Sequence, residues 1–176
     1  MSKALVVLDL QKGMLDQGEF EDRVNIILEL VEDFEHNNEE VIFVKHIDYQ
    51  VKNSPLFQTK RENLEIQLDT STHKVFEKSK PSAFSNPEFK NYLNEKGIEH
   101  LFITGFNTEY CCLFTAINGE HEKFKVTLIE DATGSVNDED TYEMKGLDIY
   151  DFVGSVLNWS NCVEVLYYDE FKDTYR

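Results

Sequence analysis

The chain has 176 residues, of which 41% are hydrophobic and 12% aromatic, so a single domain over residues 1–176 with a substantial core is expected. Thirty-four acidic residues against 17 basic ones give a formal net charge of −17. Such a surface repels phosphate backbones and anionic lipids, which argues against nucleic-acid and membrane-surface partners.

The apolar run near the amino terminus and the cysteines indicate in which cellular compartment the protein is found. Ala4–Leu8 is too short for a signal peptide or a membrane span, and no small-residue cleavage site follows it. Three cysteines are an odd number without paired spacing, which argues against a disulfide framework. We therefore expect a reduced, cytoplasmic protein.

Strand-length apolar runs alternate with helix-length amphipathic segments through the first half of the chain. Asn86–Lys96 reads as a helix closed by Gly97, the residue favoured at a left-handed cap. Asp48–Thr72 holds Ser54-Pro55 and many polar residues, and it is interpreted as a long crossover or lid. The other predicted elements in this half are a strand over Ala4–Asp9, a helix over Phe20–Asn37, a strand over Val41–Lys45 and a short strand over Val75–Glu77.

The second half continues the alternation, with strands over Ile98–Thr104, Val126–Glu130 and Val163–Tyr167 and helices over Glu109–Lys123 and roughly Asp138–Leu157. Strands without internal polar alternation, separated by helices, indicate a mostly parallel sheet covered on both faces. The predicted fold is therefore a three-layer α/β/α sandwich with a Rossmann-like sheet. In such sheets the ligand crevice lies beyond the carboxyl ends of the strands. The polar residues just after the predicted strands are Asp9, His46, Lys78, Cys111 and Asp131.

Cys111 lies in the first turn of a predicted helix that follows a strand. Backbone N–H groups are unpaired there and the helix dipole is positive, so a thiolate is favoured. The alternative is that Cys111 and its neighbour Cys112 are small buried hydrophobic residues, which is the commoner role of free cysteine.

Asp9 and Lys78 are placed to act on such a thiol. A carboxylate at the end of the first strand could accept a proton from a nucleophile, although Asp9 could equally cap a turn. Lys78 ends the short third strand, whereas most lysines are solvated surface charges. If the three side chains converge, Lys78 lowers the thiol pKa, Asp9 takes the proton and the thiolate attacks a carbonyl.

Four motifs along the chain resemble those of the isochorismatase-like cysteine hydrolases, which include nicotinamidases and N-carbamoylsarcosine amidohydrolases. The resemblance runs over nearly the full length. The motifs are Leu5-Val6-Val7-Leu8-Asp9-Leu10-Gln11, Lys78-x-x-x-Ser82-Ala83-Phe84, Gly105-x-x-Thr108-x-x-Cys111 with Thr115-Ala116, and Asp131-Ala132-Thr133.

The resemblance implies that Cys111 is the nucleophile, Asp9 the general base and Lys78 the third member of a triad. Lys80 competes for that last role, but Lys78 has the family spacing to Ser82. A non-proline cis peptide is implied at Phe106–Asn107, with the backbone N–H groups of Asn107 and Cys111 as the oxyanion hole. Because members that act on isochorismate lack the cysteine, its presence points to amide or related C–N hydrolysis of a small molecule.

The substrate pocket and any metal are less well defined. Metal-holding nicotinamidases use an Asp-x-His pair after the second strand, whereas this chain has His46 and Asp48 in the reverse order, followed by His73. Because this spacing matches no ligand motif, we expect no metal and no cofactor, with His73 exposed. Cys112 and Cys162 are interpreted as core. The expected pocket residues are Gln11, His46, Phe84, Phe106 and Tyr110, of which the aromatics could also be core or subunit contacts.

Other functions remain open at this stage. The protein could be a catalytically inactive family member that binds a small ligand or a protein. A thiol redox role for Cys111-Cys112 is disfavoured because adjacent cysteines do not easily form an ordinary disulfide. No glycine-rich phosphate loop follows a strand, which disfavours a flavodoxin-like phosphate binder. The resemblance also implies a homo-oligomer.

Overall fold

The computed structural model describes residues 1–47, 66 and 68–176, so most of the predicted crossover over Asp48–Thr72 lies outside the described residues. Six parallel strands form one sheet in the order β3-β2-β1-β4-β5-β6. The strands are β1 (Lys3–Leu8), β2 (Glu40–His46), β3 (Lys74–Lys78), β4 (His100–Phe106), β5 (Lys125–Gly134) and β6 (Glu164–Leu166).

Helices cover both faces of this sheet, which confirms the predicted three-layer fold. One layer holds α3, α4 and α5, and the other holds α1, α2 and α6. The helices are α1 (Lys12–Leu15), α2 (Glu21–His36), α3 (Pro87–Glu95), α4 (Leu113–His121), α5 (Ile149–Trp159) and α6 (Tyr168–Tyr175). Among the described residues, no helix is long and apolar enough to cross a bilayer.

The side chains of β1 show why its sequence is apolar without alternation. Val6 and Leu8 pack into the core beneath α3, α4 and α5. Leu5 and Val7 point the other way, into the core beneath α2 and α6. Because successive side chains leave a strand on opposite faces, a strand buried on both sides must be apolar at every position.

Strand order reverses at β1, because β2 and β3 lie on one side of it and β4 begins the other side. The crevice at such a reversal opens at the carboxyl ends of the strands. Gly105 near the end of β4 allows the close approach that this arrangement needs: it has φ +109°, and a Cβ there would lie 2.0 Å from the Leu8 carbonyl oxygen. Only glycine fits that contact.

Several predicted boundaries were wrong. The helix predicted over Asp138–Leu157 begins only at Ile149, because Asp148 caps it by accepting hydrogen bonds from the backbone N–H groups of Tyr150 and Asp151. The strand predicted to end at Glu130 continues to Gly134. The short helix α1 and the carboxyl-terminal helix α6 were not predicted.

Candidate active site

Four strands deliver polar side chains to the crevice. Asp9 follows β1 with φ +51°, and its backbone N–H donates to the Val44 carbonyl oxygen at 2.8 Å. His46 and Lys78 are the paired last residues of β2 and β3. Cys111 lies in a π-helical turn over Thr108–Cys112 that joins β4 to α4. Parallel strands bring these positions to one edge of the sheet.

The Lys78 ammonium is the centre of this group, which we call the carboxyl-end cluster (Asp9, His46, Lys78 and Cys111). Its Nζ lies 2.7 Å from Asp9 Oδ2, 3.0 Å from His46 Nδ1 and 3.2 Å from Cys111 Sγ. The side chains of Asp9 and Lys78 are fully buried, and Cys111 is only 4% exposed. Charges held in such a dry place interact more strongly than they would in water.

The two carboxylate oxygens of Asp9 differ in their hydrogen bonding. Its Oδ2 accepts from Lys78, whereas Oδ1 is buried and has no hydrogen-bond partner among the described residues. An unpaired buried carboxylate oxygen costs free energy, and a role in accepting a proton would explain why the fold retains it.

The protonation states follow from these contacts. Burial lowers the pKa of Lys78, but the Asp9 carboxylate and the contact with Cys111 Sγ outweigh burial and raise that pKa above its usual value, so the amine is an ammonium. Burial and the Asp9 carboxylate raise the pKa of the Cys111 thiol, and Lys78 only partly opposes them. The predicted lowering of the thiol pKa was therefore wrong: the resting site holds a thiol beside a carboxylate.

The donor atoms of Asp9, His46 and Cys111 lie within 4.8 Å of one another, close enough to hold a metal ion together. The Lys78 ammonium is within hydrogen-bonding distance of all three, so the cation that this group surrounds is Lys78 itself. Of the other considered ligands, Asp48 lies outside the described residues. His73 is mostly buried instead of exposed, with its Nε2 3.0 Å from Glu35 Oε1 and its ring against Phe43.

The loop before Cys111 has the implied backbone geometry, because the Phe106–Asn107 peptide is cis. The Asn107 carbonyl oxygen accepts from the backbone N–H groups of Tyr110 and Cys112, and its side-chain oxygen accepts from the Val136 N–H. These bonds tie the start of the π-helical turn to the end of β5. Cys111 therefore sits on a short segment that is anchored on both sides.

The expected pocket residues are spread over different environments. Gln11 is buried and bonds the backbone of His46. Phe84 packs against Phe89 and Phe124, and Phe106 is fully buried against Phe20. Tyr110 is exposed and lines an apolar groove of about 250 Å³ beside the π-helical turn. The other residues that line the groove are Glu109, Leu113, Tyr142, Met144, Leu147, Ile149, Phe152 and Val153.

The four sequence motifs support one another through hydrogen bonds. The Ala83 N–H donates to Thr115 Oγ1 at 3.1 Å, which joins the lysine motif to the cysteine motif. The Thr108 hydroxyl donates to Thr133 Oγ1 at 2.8 Å, which joins the cysteine motif to the last one. Asp131 is not in the cluster, since its Oδ1 accepts from the Tyr168 N–H at the start of α6.

Glu109 is a half-buried residue with three side-chain hydrogen bonds that the sequence did not reveal. Its Oε1 accepts from Ser135 Oγ, Asn137 Nδ2 and Tyr142 OH at 2.7–2.9 Å, while Oε2 has no hydrogen-bond partner among the described residues. A glutamate in the first turn of a helix is ordinary, so its spacing carries no signal. Its partners lie 26 to 33 residues away, and only Tyr142 falls in the stretch that was predicted to be helical.

The remaining cysteines differ from each other. Cys112 is buried in the core, as expected. Cys162 is exposed, which corrects the prediction that it is core. Its N–H donates to Ser160 Oγ in the turn after α5, and β6 begins only at Glu164.

The chain matches a known protein family and is similar to solved structures. A family model described as the Isochorismatase domain matches residues 3–159. No curated protein sequence matches the chain significantly. Among solved structures, a nicotinamidase from Bacillus subtilis is 23% identical, with 94% of this chain and 100% of that chain covered and a TM-score of 0.76.

Two further structures have the same fold. An isochorismatase-like hydrolase from Alkaliphilus metalliredigens is 16% identical, with 100% of both chains covered and a TM-score of 0.81. A cysteine hydrolase from Pseudomonas syringae pv. phaseolicola is 19% identical, with 96% of this chain and 89% of that chain covered and a TM-score of 0.80.

Proposed function

Because this chain belongs to the isochorismatase family and is an isochorismatase-like cysteine hydrolase, we propose that it cleaves an amide or related C–N bond of a small molecule, with Cys111 as the nucleophile. One observation carries the proposal. The ammonium of Lys78 contacts both Asp9 Oδ2 and Cys111 Sγ, and the side chains of Lys78 and Asp9 are fully buried. A carboxylate, a cation and a thiol in this order form a nucleophile with its base.

The first chemical step moves one proton and forms one bond. Asp9 takes the thiol proton as the sulfur attacks the carbonyl carbon, and Lys78 stabilises the thiolate that develops. Because the pKa of the resting thiol is raised, its proton is expected to leave only as the new C–S bond forms. The carbonyl oxygen becomes an oxyanion, which the backbone N–H groups of Asn107 and Cys111 receive.

The second half of the reaction returns the enzyme to its starting state. The protonated Asp9 gives its proton to the departing nitrogen, the C–N bond breaks and a thioester with Cys111 remains. Asp9 then takes a proton from a water molecule, which attacks the thioester and releases the acid. Asp9 passes that proton to the released Cys111 thiolate, so the net reaction consumes one water and yields an acid and an amine or ammonia.

Ammonia release from a panel of small primary amides tests the function. Wild-type protein should release ammonia from at least one amide, and Cys111→Ala should reduce the rate by about 10³-fold or more because the covalent route is lost. Cys162→Ala is the matched control, since that thiol is exposed and remote in the fold, and it should keep the wild-type rate. Equal release by wild type and Cys111→Ala would favour the inactive ligand-binding alternative.

We also propose that copies of the chain associate, through the outer face of α4 and α5. In a protein of net charge −17, α4, α5 and the segments just before them carry seven of the exposed large apolar side chains, and three of these line the groove beside α4 and α5. Applied to side chains of about 150–250 Å², their exposed fractions leave on the order of 700 Å² uncovered, close to the roughly 800 Å² per partner of a stable interface. The seven are Tyr110, Phe114, Ile117, Met144, Phe152, Val156 and Trp159.

Light scattering after size exclusion tests this association. Wild-type protein should elute with at least twice the 20.6 kDa chain mass, and Trp159→Glu with the mass of one chain. Trp159 is 83% exposed, so the substitution costs the folded chain little. A wild-type monomer at micromolar concentration would contradict the proposal.

A further inference from the structure

We propose that His46 is a positioning residue, which holds the Lys78 ammonium in the direction that serves Cys111. The inference rests on the proposed function and adds a fourth member to the triad. Lys78 Nζ lies 3.0 Å from His46 Nδ1, between its distances to Asp9 Oδ2 and Cys111 Sγ. An ammonium has three hydrogens and no lone pair, so these three neighbours accept one hydrogen each.

The chemistry of the ammonium fixes the state of the imidazole. Because Lys78 can only donate, His46 Nδ1 must be unprotonated and accept. His46 is therefore neutral and carries its hydrogen on Nε2. A positively charged His46 would lose the acceptor and place a second cation against Lys78.

Gln11 holds the backbone that carries this imidazole. Its Nε2 donates to the His46 carbonyl oxygen at 3.1 Å, and its Oε1 accepts from the His46 N–H at 2.8 Å. The side-chain amide thus makes the pair of bonds that a strand residue would make. It is needed because β1 ends at Leu8 and the chain turns away at Asp9. We infer that Gln11 positions His46, and His46 positions Lys78.

Loss of the His46 acceptor would change the hydrogen bonds and the direction of the Lys78 ammonium. A buried N–H of a charged group would be left without a partner, which is costly. The ammonium would then turn toward the stronger acceptor, the Asp9 carboxylate, and away from the neutral thiol. Cys111 would lose stabilisation of its thiolate while the fold and the nucleophile itself remain. The expected consequence is a slower thiol reaction.

Three substitutions of His46 distinguish a role as hydrogen-bond acceptor for Lys78 from a role in packing. In asparagine, Oδ1 is bonded to Cγ just as Nδ1 is in histidine, so His46→Asn keeps an acceptor facing Lys78. His46→Gln carries its amide one bond further out, and His46→Leu has no acceptor. A role in packing alone would be served best by Leu or Gln, which are closer in volume to histidine.

The readout is alkylation by iodoacetamide, followed by peptide mass spectrometry at pH 6–9. It needs no substrate, so the result stands whether or not the amidase activity is found. Cys162 is exposed and serves as the internal reference in every variant. The rate of Cys111 relative to Cys162 should stay within about 3-fold of wild type in His46→Asn and fall about 10-fold or more in His46→Leu and His46→Gln.

Two results would overturn the proposal. One is a Cys111 rate in His46→Leu equal to wild type, which would mean that Lys78 needs no third acceptor. The other is a His46→Asn rate as low as that of His46→Gln, which would mean that the acceptor position is irrelevant. If His46→Leu does not fold, the asparagine and glutamine pair decides the question alone.

Discussion

The two ends of the sheet each hold a polar cluster with a histidine, a lysine and a carboxylate, yet they are built differently. At the amino ends of the strands lies the amino-end cluster (His100, Lys125, Thr127, Glu164 and Tyr175). Glu164 Oε2 accepts from Thr127 Oγ1 at 2.5 Å and from Tyr175 OH at 2.7 Å, and His100 Nε2 lies 2.7 Å from Thr127 Oγ1. No polar side-chain atom of this cluster is buried without a partner among the described residues.

The side chains of the carboxyl-end cluster are more deeply buried, and fewer of their hydrogen-bond acceptors have a partner among the described residues. Asp9 and Lys78 have fully buried side chains, and Asp9 Oδ1 lacks a partner among the residues that the structure describes. Lys125 and Glu164, by contrast, remain about 42% and 33% exposed and lie 3.7 Å apart. The same residue types thus attach α6 to the sheet at one end and surround the proposed nucleophile at the other. Burial and an open acceptor, more than residue identity, separate the two clusters.

Removing the lysine from each cluster should give the largest difference in the free energy of unfolding. Lys78→Met leaves the Asp9 carboxylate buried without a countercharge, so we expect a loss of about 3–5 kcal/mol in the free energy of unfolding, together with loss of hydrolysis. Lys125→Met removes a half-exposed ion pair and should cost at most about 1 kcal/mol, with hydrolysis unchanged. Urea unfolding at pH 7 measures both. Equal losses in the two variants would erase the proposed distinction.

Neutralising the carboxylate in each cluster should have very different effects on hydrolysis. Asp9→Asn keeps the shape but cannot accept the thiol proton, so amide hydrolysis should fall by about 10²–10⁴-fold. Glu164→Gln keeps hydrogen bonds to its neighbours and should change hydrolysis less than 2-fold. Ammonia release with each variant at the same pH checks this pair. A rate for Asp9→Asn near wild type would remove Asp9 from its role as base.

The same comparison shows what could be predicted from the sequence. Asp9, Lys78 and Cys111 were singled out because each follows an apolar strand, and parallel strands bring such ends together. His46 was placed in the crevice by the same rule, but its contact with Lys78 depends on side-chain direction and on Gln11, which no spacing encodes. The raised thiol pKa was missed because position at a helix start indicates the dipole but not the depth of burial.

The amino-end cluster was missed for a related reason. His100, Lys125 and Glu164 begin their strands, where polar residues are expected on the surface, and α6 was not predicted. α6 supplies Tyr175, whose ring packs against His100. The near-complete burial of His100 therefore comes from tertiary packing, with its ring against Phe102 and Tyr175.

The smallest expected effect is a pH dependence of stability at the amino end. Burial, and then the nearby Lys125 charge, lower the pKa of His100 to about 4, against about 6.5 in an unfolded chain. Between these values the unfolded state binds the extra proton, so this contribution to stability is complete above pH 6.5 and is lost as the pH falls toward 4.

His100→Gln isolates that contribution. Glutamine can keep a hydrogen bond to Thr127 but does not titrate, so its loss of stability between pH 7 and pH 4.5 should be about 2 kcal/mol smaller than that of wild type. Urea unfolding of both proteins at the two pH values measures the difference, and the carboxylates common to both cancel. Lys78 and Asp9 are untouched, so hydrolysis at pH 7 should not change. A wild type and variant that lose stability in parallel would mean that His100 titrates as it does in the unfolded chain, and that the amino-end cluster is far wetter than its contacts indicate.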